Sequence, residues 1–144
     1  MKVIIFYNSR FGNSREVCEF MAKTFKDKKM EAKAISMQAT QPKQIESADL
    51  YIFSSSTHVG NAPFKTRRFL KRLRKQGGTK YALVTTNIEP QKAKTLKTME
   101  EILESKGFKE VADPLVLRVE GLKGPLEGKF QDKVLAYIEK INKL

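Results

Sequence analysis

At 144 residues the chain is expected to form one compact domain, with no room for a second core. Hydrophobic residues at 40% and charged residues at 31% exclude a disordered chain, while a single cysteine, Cys18, and a single histidine, His58, exclude an internal disulfide and a Cys/His zinc cage, so no metal site is expected. Lys and Arg outnumber Asp and Glu by 28 to 16; the net charge of +12 suits an anionic partner, and taken alone it equally suits a surface tuned only for solubility.

Residues 2–7 are a β-branched and aromatic run, the pattern of a strand buried on both faces. The run is too short for a signal-peptide core or a membrane span, so a cytoplasmic protein without a span is expected. Gly12 and Asn13 break the chain, and Val17, Cys18, Met21 and Phe25 then recur at helical spacing over residues 14–27. Asn13 with Glu16 has the form of a capping box, and Cys18 sits on the apolar stripe as packing. Residues 31–37 alternate as a strand, residues 42–47 suit a brief helix, and residues 49–55, with Leu50, Tyr51, Ile52 and Phe53, form another buried strand. A loop with Gly60, Asn61 and Pro63 leads to a helix over residues 64–76, ended by Gly77 and Gly78. Residues 81–86 make a fourth strand. Leu96, Met99 and Leu103 line a third helix closed by Gly107, Pro114 opens a fifth strand through Val119, and Phe130, Val134, Ile138 and Ile141 stripe a last helix.

Strands alternating with helices require a parallel sheet with right-handed crossovers, and five such units fit an α/β, doubly wound, three-layer sandwich of strand order 2-1-3-4-5. Ligands of such sheets bind beyond the carboxyl ends of the strands, at the switch point between strands one and three, where residues 9–14 and 56–64 meet. The first loop reads Ser9, Arg10, Phe11, Gly12, Asn13, Ser14: hydroxyls and a glycine leading into a helix amino terminus, whose free N–H groups and dipole favour a phosphate. The same residue types are also ordinary helix caps.

Rival phosphate chemistries lack their parts. The three spaced glycines of a dinucleotide fingerprint and the second Gly followed by Lys of a Walker loop are both absent after strand one. A phospho-acceptor receiver domain needs carboxylates where Asn8, Ser9 and the Ser54-Ser55-Ser56 run stand. The loop of small tyrosine phosphatases needs a thiolate nucleophile where Ser9 has no nearby base.

Three segments carry a family resemblance. Residues 6–14 resemble the first strand and phosphate loop of flavodoxins, residues 52–64 resemble the third strand and first flavin loop, and residues 119–126 resemble the turn before the last helix in the short flavodoxin-like group that includes menaquinone-dependent protoporphyrinogen oxidases. The resemblance implies a noncovalent FMN, with its phosphate held by Ser9, Arg10, Phe11, Gly12, Asn13 and Ser14. It implies a ring held between Ser56, Thr57, His58, Val59, Gly60 and Asn61 on one side and Thr86, Asn87, Ile88 and Glu89 on the other.

The chain departs from the family pattern in places. His58 stands where an aromatic residue often stacks, the second flavin loop has no Tyr or Trp, and Phe11 replaces a frequent hydroxyl residue. His58 suits stacking on the ring or shuttling a proton, and equally an exposed loop position; Gly60 suits a peptide that turns with the protonation of the ring, and equally a plain turn.

The resemblance implies an electron-transfer protein. The alternatives are an FMN-dependent oxidoreductase acting on a quinone or porphyrinogen-type substrate, and a binding module that has lost FMN. Lys65, Arg67, Arg68, Lys71, Arg72, Arg74 and Lys75 give the second helix a positive face suited to an acidic redox protein or an anionic small molecule. Nucleic acid is the weaker rival, since Phe64 and Phe69 read as core and no recognition motif is present. A positive surround also favours an anionic reduced flavin, easing the second one-electron step.

Overall fold

A computed structural model describes residues 1–57, 61–87, 94–121 and 123–144. Strands β1 (Lys2–Asn8), β2 (Glu31–Ser36), β3 (Leu50–Ser56) and β4 (Lys80–Asn87) run parallel in the order β2-β1-β3-β4. Beyond β4 lie β5 (Lys109–Glu110) and β6 (Leu115–Arg118), both parallel to it. This is the doubly wound order expected from the alternating elements.

Helices α1 (Asn13–Asp27) and α4 (Phe130–Asn142) cover one face of the sheet, and α2 (Phe64–Lys71) and α3 (Thr95–Ser105) cover the other. Two cores result, because successive side chains of a strand point to opposite faces. Val3, Ile5, Ile52 and Val84 pack with Val17, Cys18, Met21, Phe25, Val134 and Ile138. Ile4, Phe6, Tyr51, Phe53 and Leu83 pack with Phe69, Leu70, Met99 and Leu103. The second core is aromatic, with the ring of Phe6 on β1 stacked on those of Tyr51 and Phe53 on β3, and those two on each other, at centroid separations of 6.0 to 6.1 Å. Cys18 is fully buried and its thiol is pushed up to about 12 by burial, so it is an inert part of the core.

Four expectations change. The fifth strand is in two pieces: Lys109 and Glu110 pair with Lys80 and Tyr81, the Val111 N–H makes a last bond to the Tyr81 carbonyl at 3.0 Å, residues 112–114 leave the ladder, and Leu115 to Arg118 pair with Val84 to Asn87. Pro114 has no N–H to give to β4, and it stands where the ladder resumes. The second helix stops at Lys71 rather than near residue 76. Its last turn is drawn off by tertiary contacts: the Lys106 ammonium takes the carbonyls of Lys71 and Leu73, and the Gln76 and Gly78 N–H groups donate to Lys106 and Gly107, each at 2.9 Å. A Cβ at Gly107 would lie 3.0 Å from the Gly77 backbone, so this close approach needs glycine. The brief helix near residue 42 is a 3-10 turn, Pro42–Gln44, preceded by another at Met37–Ala39. Finally, Gly12 rather than Asn13 caps α1, with no side-chain cap, so the Asn13 and Glu16 capping box does not form.

Candidate functional site

The carboxyl ends of the parallel strands fall together, with Asn8 beside Ser55, Ser56 beside Thr86, and Asn87 beside Arg118. The segments that follow these strands therefore share one edge of the sheet. After β1 the chain turns through Gly12, whose φ of 90° lies in the left-handed region that glycine enters without cost. The α1 ladder opens with the Glu16 N–H donating to the Gly12 carbonyl at 2.9 Å. The N–H groups of Asn13, Ser14 and Arg15 precede that bond and have no acceptor within the helix. Together with the helix dipole they form a positive concavity.

Side chains complete this concavity. Ser9 Oγ is buried and, among the described residues, makes no hydrogen bond. Leaving such a hydroxyl unpaired costs about 1–3 kcal/mol, a cost that a bound acceptor would remove. Ser14 is fully buried, and its Oγ lies 3.2 Å from Thr86 Oγ1, tying the start of α1 to the end of β4. Arg10 lies over the Phe11 ring, 5.1 Å from its centroid, and Phe11 is 36% exposed at the rim.

The second loop is anchored from below and from the side. Asn8 Nδ2 donates to Thr66 Oγ1 at 2.9 Å, and Thr66 Oγ1 lies 2.8 Å from Ser55 Oγ. This buried network joins β1, β3 and the inner face of α2. The Thr57 N–H donates to the Thr86 carbonyl at 3.2 Å, and Thr57 Oγ1 lies 2.7 Å from Thr95 Oγ1. Asn61 Oδ1 accepts from Thr98 Oγ1 at 2.8 Å and from the Ala62 N–H at 2.7 Å. Thr57 and Asn61 thus fasten the loop to α3. Ser56 is half-buried at the strand end, and Thr86 and Asn87 are buried beside it. His58, Val59, Gly60, Ile88 and Glu89 lie outside the described residues.

Residues 119–121 and 123–126 close the third side. Val119 pairs antiparallel with Leu126, its N–H donates to the Asn87 carbonyl at 3.0 Å, and the Glu120 N–H donates to the Pro125 carbonyl at 2.8 Å. Gly124, at φ 99°, rests on Asn13, where a Cβ would come within 2.6 Å of Asn13 Oδ1. The Asn13 side chain, which does not cap α1, therefore lies against Gly124 of the third segment. Sequence reading placed Asn13 in the site but missed this contact, and it missed Thr66, Thr95 and Thr98 entirely. The available signal for Thr66 was a small uncharged residue set between Lys65 and Arg67 in an otherwise basic stretch.

α2 starts directly after the second loop, and Lys65, Arg68, Lys71, Arg72, Arg74 and Lys75 are all exposed. Arg67 is half-buried, its Nε donating to the Ala62 carbonyl at 3.1 Å. Phe69 is core as expected, but Phe64 is 64% exposed: as the first residue of α2 it precedes the turn that packs on the sheet. Among the described residues, no helix is long and apolar enough to cross a membrane.

Residues 4–126 match the family model described as a flavodoxin domain. No curated protein sequence matches the chain. Among solved structures, oxidised flavodoxin 1 from Bacillus cereus is similar with a TM-score of 0.80 at 18% identity, over 100% of this chain and 99% of that one. A flavodoxin of Streptococcus pneumoniae TIGR4 gives 0.80 at 16% identity, over 99% of each chain. Rubredoxin oxygen:oxidoreductase from Desulfovibrio gigas gives 0.72 at 20% identity, over 99% of this chain and 36% of that one.

Proposed function

Because the chain belongs to the flavodoxin family, we propose that it binds FMN at the carboxyl edge of its sheet and serves as an electron carrier. The observation that carries this reading is the buried Ser9 oxygen, without a partner among the described residues, near a helix start where the amides of Asn13, Ser14 and Arg15 have no acceptor within the helix. A dianion supplies the acceptors that these donors lack. Ser9, Gly12, Asn13 and Ser14 would hold the phosphate, and Arg10 would add charge at the rim. Thr57, Asn61, Thr86 and Asn87 would border the ring, in company with His58, Val59, Gly60, Ile88 and Glu89.

FMN, when bound, takes up and releases electrons one at a time or in pairs. The residues of this chain bind and orient it. Ser14 with Thr86 fixes the phosphate loop against β4, the Asn8, Ser55 and Thr66 network holds the floor, and Thr95 with Thr98 holds the second loop in place. The basic surface of α2, with Phe64 exposed at its start, adjoins this edge and suits docking of an acidic redox protein. We take the cytoplasm as the place of action, in keeping with a single reduced cysteine buried in the core.

Titration with FMN and with riboflavin tests the reading. We expect FMN to bind at least tenfold more tightly, and equal affinities would overturn the assignment of the phosphate loop. Sustained turnover of quinones with NAD(P)H by the isolated protein would replace the carrier by an enzyme.

A further inference from the structure

At the opposite end of the sheet lies a group of side chains that the flavin reading does not use. Glu100 and Glu104 stand one turn apart on α3, and Glu110 is the last residue of β5, paired with Tyr81 near the amino end of β4. The chain reverses between α3 and β5 through Gly107, with the Phe108 N–H donating to the Leu103 carbonyl, and this turn brings the strand carboxylate to the helix pair. One oxygen from each of the three carboxylates lies within 4.8 Å of the others. Twenty-eight Lys and Arg are available in the chain, yet among the described residues none forms an ion pair with these three.

Two buried atoms at this place lack partners. Glu110 Oε2 makes no hydrogen bond among the described residues, and neither does the hydroxyl of Tyr81, a residue with no exposed surface. Burial, followed by the charges of Glu110, Glu104 and Glu100, pushes the Tyr81 phenol up, so it stays a neutral donor facing the cluster. Glu110 is pushed up to about 7 by burial and by Glu100, with Glu104 and Asp113 adding to the repulsion.

We propose that Glu100, Glu104 and Glu110 form a binding site for a hard divalent cation of the calcium class, with the buried Tyr81 hydroxyl orienting one of the ligating carboxylates. An all-oxygen donor set selects hard cations over those that prefer nitrogen or sulfur. Calcium takes oxygens at about 2.3–2.6 Å, so its ligands spread up to roughly 5 Å apart, a span that accommodates these three. The Tyr81 hydroxyl acts as an outer-shell donor. Water completes the coordination: Glu110 also borders a cavity of about 620 Å³ between the 111–114 segment and α4. Asp113 shares that rim with Glu110, and Lys133, Tyr137 and Lys140 line the α4 side.

The probes are terbium(III), a calcium surrogate lit by a nearby tyrosine, and calcium itself. With no tryptophan in the chain, tyrosine is the sole strong sensitiser. We expect one saturable terbium site, displaced by calcium, with affinity falling at least tenfold in Glu104→Gln, a change at an exposed position. Tyr81→Phe should lower the sensitised emission, Tyr137 near Glu110 supplying the remainder, while calorimetry still detects calcium. Emission that never saturates, or that is unchanged by Glu104→Gln, would overturn the site. None of these readouts depends on FMN, so failure here leaves the flavin reading standing, and the converse holds.

Discussion

Two buried hydroxyls without partners among the described residues, Ser9 Oγ and Tyr81 OH, stand at opposite ends of the same sheet and in opposite fields. Around Ser9 gather main-chain N–H groups at the positive end of α1; around Tyr81 gather three carboxylates. The defect is the same, an unspent donor in the interior, but the ligand it calls for is set by its neighbours: an anion at one end and a cation at the other. Over the seven residues from Tyr81 to Asn87, a strand spans roughly 20 Å, enough to keep the two fields apart.

The largest expected effect comes from Gly124→Ala, which sets a Cβ against Asn13 and asks an alanine to hold a φ of 99°. It should lower stability by about 2–3 kcal/mol and weaken FMN binding more than tenfold, read from denaturant midpoints and flavin titration. Adding Asn13→Ala should restore the part due to the clash; no recovery would show that the contact does not hold the first loop to the third.

A smaller effect is expected with pH at the other end. The carboxyl of Glu110 rises from 4.5 in the unfolded chain to about 7, so the folded state holds that proton more tightly. Its contribution is fully present below pH 4.5 and is lost as pH rises through about 7. After screening by solvent it amounts to about 1 kcal/mol, visible as a falling urea midpoint between pH 5 and pH 8.5 and flattened in Glu110→Gln. Calcium at pH 8 should return the loss, separating a cation site from plain repulsion.

Ser9→Ala sharpens the contrast further. Removing an unpaired hydroxyl should leave the apo protein unchanged or more stable by up to about 1 kcal/mol, while FMN affinity drops roughly fivefold to tenfold. A clear loss of apo stability would mean that Ser9 is structural. The least effect is electrostatic: the potential of the second electron should move lower as salt rises, because screening weakens the attraction of the basic surface for a reduced, anionic flavin.

Sequence periodicity made the sheet order and both cores legible, because runs such as residues 2–7 and 49–55 have one reading once the helical stripes between them are seen. The loop proposed to hold the phosphate could be named from sequence because its residues are contiguous. What escaped depends on contacts between distant segments. α2 shortens because Lys106 claims its last carbonyls, Asn13 leaves its cap for Gly124, and the hydroxyls of Thr66, Thr95 and Thr98 reach across to β1, β3 and the second loop. The carboxylate cluster was invisible because Glu100 and Glu104 look like a solvated helix face until β5 turns Glu110 onto them.

The interruption between β5 and β6 also governs how copies of the chain meet. An uninterrupted outer strand would offer a row of free N–H and C=O groups on which a neighbouring molecule could extend the sheet. Here that border offers two residues, a gap containing Pro114, and four more, while the far border is β2 with Glu31 and Lys33 along it. Neither margin is a template for strand-by-strand growth, so concentrated solutions should stay free of fibrous assemblies even though the sheet interior is rich in β-branched and aromatic residues.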